Sequence, residues 1–89
     1  MEFLFQIEDF KQFEDCMKNL LTPEELAEMA VRLEILKQLI DGTPQREIAA
    51  KLGVSIATIT RGSKELKTGP KGIVTVIKNS KWWENDSWR

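Results

Sequence analysis

The 89-residue chain contains no histidine and no tyrosine, and its only cysteine is Cys16. Without histidine the usual zinc ligand sets cannot be assembled, and without a second cysteine no intrachain disulfide can form. Cys16 has no basic neighbour or helix start placed to activate its thiol, so it reads as a small, buried or semi-buried hydrophobe. A Gly-rich phosphate loop is also absent. Lacking a recognisable nucleophile-base pair or metal site, the chain has an enzyme as its least expected class. No apolar stretch approaches the roughly 20 residues that cross a bilayer. The amino terminus lacks the basic start, apolar run and small-residue cleavage site of a secretory signal. A reducing cytoplasm is the expected location, with no metal, no cofactor and no membrane partner.

What the chain does contain is a normal apolar share, 42%, on a length that suits one small domain (1–89). So short a chain buries a modest core when alone, and self-association is a common way to gain buried surface; a homodimer is expected. The formal net charge of −1 conceals a division. Residues 1–42 hold four Lys/Arg against ten Asp/Glu, whereas residues 43–89 hold nine against four. An acidic scaffold carrying a basic half suits a module that meets phosphates with only that half.

Residues 43–67 carry the most specific pattern. Thr43 and Pro44 predict a helix start, with the Thr hydroxyl as cap and Pro at the first helical position. Gly53 predicts the stop, because glycine takes the left-handed conformation readily, and Ser55 caps a second helix from Ile56 to about Lys67. Two short helices meeting across such a turn form a helix-turn-helix, whose second helix enters the DNA major groove. Ile48, Leu52, Val54 and Ile59 are apolar where the two helices face each other, and Ala49 is small where their axes cross. The outward side of the second helix offers Ala57, Thr58, Thr60, Ser63, Lys64 and Lys67, short hydroxyls and methyls plus cations, with Glu65 the only acid. A helical hairpin inside a bundle would give similar apolar spacing; its exposed face would carry mixed acid-base pairs.

Elsewhere the pattern is helical too. Asp9 and Gln12 resemble a capping pair opening a first helix that ends near Leu21, with Phe10, Phe13, Met17 and Leu20 on one stripe. Phe3, Leu4, Phe5 and Ile7 extend that stripe backwards or form a lead strand. Thr22-Pro23-Glu24-Glu25 is the strongest start signal and predicts a long helix to Asp41, ended by Gly42 and apolar on more than one face. Arg32 interrupts that apolar surface, so it either reaches solvent or faces an anion. Residues 68–72 read as a turn, Ile73, Val76 and Ile77 as a short final helix, and Trp82, Trp83 and Trp88 as a packing surface in a polar tail. The expected division is core and dimerisation helices (1–42), reading unit (43–67) and extension (68–89).

Leu20-Leu21-Thr22-Pro23-Glu24-Glu25, Arg32, Gln45-Arg46-Glu47-Ile48, the run Ile56-Ala57-Thr58-Ile59-Thr60-Arg61-Gly62-Ser63, and Leu66-Lys67 resemble the bacterial tryptophan repressor family. The resemblance is close over about residues 20–67. It implies an all-α, intertwined homodimer that binds a palindromic DNA operator and takes L-tryptophan as corepressor. Matched position by position, it implies that Arg61 pairs with the ligand carboxylate and stacks on the indole, Arg32 covers the other face, and Thr22 hydrogen-bonds the carboxylate. Gly62 would admit the indole, and the carbonyls near Asn19 and Leu21 would receive the ammonium. Arg46, Ile56, Ala57, Thr58, Thr60, Lys64 and Lys67 match positions that meet DNA, and Gln45 and Ser63 complete the candidate set.

Two departures accompany the match: the connection before the reading unit is a residue shorter, and Glu65 stands where the family has a serine near the ammonium. Glu65 either makes a stronger, charge-assisted bond there or reaches Arg32 or Arg61 and fills the pocket. The latter would leave a DNA-binding protein with no tryptophan ligand. A helical protein-interaction module that does not bind DNA is the remaining alternative.

Overall fold

A computed structural model describes residues 2–80, and all their regular structure is helical. Six helices follow in order: α1 (Glu2–Phe5), α2 (Phe10–Leu20), α3 (Pro23–Ile40), α4 (Gln45–Leu52), α5 (Ile56–Thr68) and α6 (Gly72–Ser80). The chain divides into two compact units, Met1–Val31 and Arg32–Arg89. The tryptophan tail lies outside the described residues.

In the first unit the helix starts are set locally. Asp9 accepts the Gln12 backbone N–H at 2.8 Å, while the Gln12 side chain accepts from Glu8 N–H, one residue earlier than a reciprocal pair requires. Thr22 and Glu25 form the full capping box: Thr22 Oγ1 accepts the Glu25 N–H at 3.1 Å and Glu25 Oε1 accepts the Thr22 N–H at 2.9 Å. The lead is one helical turn rather than a strand. No residue from 2 to 31 is buried, and Phe3, Phe5, Phe10, Phe13, Leu20, Met29 and Val31 are exposed.

The second unit contains a core. Ile48 and Ile59 are wholly inaccessible, and with Ile35 and Ala49 they form one cluster, flanked by Leu39, Leu52 and Val54. Ala49 thus sits where the crossing helices need a small side chain. Gly53 ends α4 in the left-handed region (φ 66°), and the Val54 N–H returns to the Ala49 carbonyl. Ser55 then caps α5 by accepting the Thr58 N–H at 3.2 Å. The two expected helices and the turn between them are therefore present.

Thr43 does not cap α4, contrary to expectation. Its N–H bonds back to the Gln38 carbonyl and helps close the end of α3, where Gly42 is left-handed (φ 87°). Helix α4 begins at Gln45 rather than at Pro44, which leaves Thr43 one position too early; Pro44 is the cap residue, and its carbonyl accepts from the Glu47 and Ile48 N–H groups. A second finding concerns buried charge. Arg32 is exposed, and the cation taken into the structure is Lys37, 8% accessible and 3.2 Å from Glu34 Oε2.

Truncating the shared contact should be costly: Ile59→Ala is expected to lower unfolding free energy by about 2–4 kcal/mol in urea titrations. Gly53→Ala should cost roughly 1 kcal/mol for its positive φ.

Candidate nucleic-acid interface

The 3.6-residue repeat of α5 sorts its side chains into three stripes. Ile59, Gly62 and Leu66 lie inward: Ile59 is fully buried, and Gly62 and Leu66 are half-buried. Gly62 faces α3 at close quarters: a Cβ there would lie 3.2 Å from Ile35 Cγ2, with Leu39 and Leu36 next nearest, so any side chain at 62 requires Ile35 to give by a few tenths of an ångström. The absent side chain thus brings α5 close to α3, a use that the spacing had not indicated.

Thr60, Lys64 and Lys67 form the opposite stripe, and all three are exposed. Ile56, Ala57 and Arg46 are exposed beside them, while Gln45, Thr58 and Ser63 are half-buried. Thr58 is partly committed to the turn, because its hydroxyl lies 2.9 Å from Ser55 Oγ. Thr60 reaches across to α4, donating its hydroxyl hydrogen to Gln45 Oε1 at 3.2 Å. Among the described residues, Arg46, Lys64 and Lys67 carry no ion pair, whereas Lys51 is held by Glu47 at 3.1 Å. The cations on this surface are therefore free to meet phosphate without first giving up a carboxylate.

Arg61 and Glu65 form the third stripe, one turn apart on the flank. They do not pair with each other, and among the described residues neither makes an ion pair. The Glu65 carboxylate folds toward Gly69, leaving no room for a Cβ there. Lys71 serves the same end of α5, its ammonium donating to the Leu66 and Lys67 carbonyls. Nothing in the spacing had singled out Lys71 or Lys37; the only signals were a cation just past the helix end and a Glu34–Lys37 pair three apart. Arg32 stands one turn before Ile35 and Leu36, two of the three α3 residues that approach Gly62.

The structure thus gathers Arg61, Gly62 and Glu65 on one helix. Asn19, Leu21 and Thr22 belong to the first unit, at the corner between α2 and α3. Thr22 Oγ1 accepts from Glu25, which leaves its hydroxyl hydrogen available. No group of three or more metal-ligating side chains occurs among the described residues. No helix among them is long and apolar enough to cross a membrane.

The family profile described as Trp repressor protein matches residues 1–81. This chain belongs to the Trp repressor family. A Trp operon repressor homolog of Pasteurella multocida is 44% identical over 66 residues, 73% of this chain and 65% of that protein. One from Photobacterium profundum is 51% identical over 59 residues, 64% of this chain and 57% of the relative. A third, from Vibrio parahaemolyticus, is 48% identical over 61 residues, 67% and 59% respectively. The chain spans less than two thirds of the length of these three Trp repressor relatives. No solved structure matches it.

If Gly62 is needed for the approach of α5 to α3, Gly62→Val should lower stability with no ligand present. A loss of about 1–3 kcal/mol from overpacking is expected in thermal unfolding.

Proposed function

We propose that this protein is a non-enzymatic, cytoplasmic transcriptional regulator that binds a palindromic operator as a homodimer and responds to L-tryptophan. The observation that carries the reading is the outward stripe of α5: Thr60, Lys64 and Lys67 exposed, with Arg46 beside them and no carboxylate engaging these cations. Binding phosphate there releases counterions without breaking a salt bridge. Family membership and the names of the relatives support a repressor.

The dimer is supported by the first unit. A chain segment that buries no side chain of its own does not offset the entropy of ordering it, while each fully buried Phe or Leu contributes about 1.5–3 kcal/mol. Phe3, Phe5, Phe10, Phe13 and Leu20 are the surface a second copy would cover. In this reading residues 1–42 associate, residues 43–67 read DNA and residues 68–89 extend the fold.

The corepressor reading rests on the flank of α5. Arg61 offers a guanidinium to a carboxylate, and Glu65, one turn on, offers a carboxylate to an ammonium. Held toward the negative end of α5, that carboxylate gains from a cation placed beside it. Self-pairing of Glu65 with Arg61, which would close the site, is not the arrangement observed. Arg32 and Gly62 complete the part of the site carried by the second unit; the roles of Asn19, Leu21 and Thr22 rest on the resemblance alone. Ligand held between Arg32 on α3 and Arg61 on α5 would favour the DNA-competent tilt of the reading helix, by no more than its preference for that state.

Two measurements test the two halves. DNA affinity should fall as salt rises, and Lys67→Ala should reduce the slope of log affinity against log salt by about one; a salt-independent interaction would point to protein docking instead. Isothermal titration should give heat with L-tryptophan, lost in Arg61→Ala. In Glu65→Ser, affinity should fall more for L-tryptophan than for indole-3-propionate, which lacks the ammonium. A folded dimer giving no heat removes the corepressor and leaves the DNA module standing.

A further inference from the structure

The carboxy-terminal end of α5 is closed without the usual left-handed glycine. Gly69 lies in extended backbone (φ −87°, ψ −178°) that any residue adopts, so its missing side chain is a matter of space and not of dihedral angle. A Cβ there would overlap Glu65 Oε1 and lie 2.8 Å from Glu65 Cδ, as well as 2.7 Å from the Glu65 carbonyl oxygen. Gly69 is therefore the notch into which the Glu65 carboxylate folds.

A carboxylate turned toward the last turn of a helix faces the negative end of the dipole and is ordinarily repelled. Here the carbonyls of that turn already have donors. The Thr68 hydroxyl donates to the Lys64 carbonyl at 2.9 Å, and the Gly69 N–H donates to that of Glu65 at 2.8 Å. The Lys71 ammonium donates to the Leu66 carbonyl and, at 3.0 Å, to that of Lys67. It sets a full positive charge against the helix end, yet forms no ion pair with Glu65. Arg61, four residues before Glu65, is the competing partner for the carboxylate, because side chains at that spacing share a helix face.

We propose that Gly69 and Lys71 are positioning residues that keep the corepressor flank open. The notch at 69 gives the Glu65 carboxylate a resting place, and Lys71 supplies the charge that draws it there. Glu65 is thereby kept from neutralising Arg61 before a ligand carboxylate arrives. This rests on the corepressor reading above and names what holds the two charges of that site apart.

Isothermal titration of the full chain with L-tryptophan and with indole-3-propionate tests it. Gly69→Ala and Lys71→Met should each weaken both ligands by about two- to threefold, the strength of an exposed pair one helical turn apart, because each ligand must first displace Glu65 from Arg61. In a Glu65→Ser background there is no carboxylate to displace. Lys71→Met should then leave both affinities unchanged, and the loss caused by Gly69→Ala should shrink by the same factor. A loss due to unfolding would persist in that background. Lys71→Arg keeps a cation over the carbonyls and should match the parent. Raising the salt concentration should shrink the Lys71→Met deficit, since an exposed pair is screened. Equal losses with and without the Glu65 carboxylate, or no loss in either single variant, would overturn the proposal and leave the corepressor reading intact. A parent chain that gives no heat with either ligand would overturn the corepressor reading itself, and this inference with it.

Discussion

The close approach of α5 to α3 at Gly62 is the constraint on which the rest of the second unit depends. Ile35 belongs to the buried cluster and also meets α5 at Gly62, where even a Cβ would press its Cγ2 at 3.2 Å and require it to give by a few tenths of an ångström. Helix axes separate according to the side chains between them. A larger residue at 62 would therefore lift α5 as a body, carrying Thr60, Arg61 and Lys64 with it. The position of the whole reading surface is in this sense set from beneath, by an absence.

From that contact the division of α5 follows. One stripe is committed to Ile35, Ile48 and Ala49, so the remaining two are free to carry chemistry. They carry different kinds. The outward stripe has cations and hydroxyls with no resident acid, whereas the flank has one guanidinium and one carboxylate left apart. Elsewhere the chain pairs such groups readily: Lys11 lies 3.1 Å from Asp15, whose hydrogen bond and charge raise the Lys11 pKa, and Lys51 lies 3.1 Å from Glu47. Exposed pairs of that kind contribute little to stability. Leaving Arg61 and Glu65 unpaired therefore costs little, and it keeps both charges available to a ligand that carries the complement of each.

Features fixed by neighbours in the chain were legible in the sequence. The Thr22–Glu25 capping box, the left-handed Gly53 and the Ser55 cap each depend on residues no more than a few positions apart, and each formed as spacing indicated. Helical period alone also placed Ile48, Ala49 and Ile59 inward. Thr43 failed because α4 starts at Gln45, one residue later than the Thr43-Pro44 pattern indicates, so its hydroxyl stands before the cap position while its N–H closes the end of α3. Lys37, the second role of Gly62 and the Thr60–Gln45 bond were hidden for a related reason. Each depends on packing in three dimensions, or on which of several equivalent polar partners a side chain meets, and residue spacing carries neither.

Coupling between the flank and the outward stripe needs no long pathway. Arg61 follows Thr60 directly and precedes Lys64 by less than a turn, so whatever fixes the guanidinium fixes the orientation of the surface beside it. The free energy required is bounded by what holds α5 in place. Five apolar side chains are buried in the described structure, and Ile48 and Ile59 alone of these are wholly inaccessible within the cluster shared by α4 and α5. A helix held by so few contacts can take up more than one tilt without large loss. A hundredfold preference of a ligand for one tilt amounts to only about 2.7 kcal/mol, comparable to the burial of a single isoleucine. A small core is thus a physical requirement of the proposed regulation: packed more deeply, α5 would present the same residues but would no longer answer to a ligand of ordinary affinity.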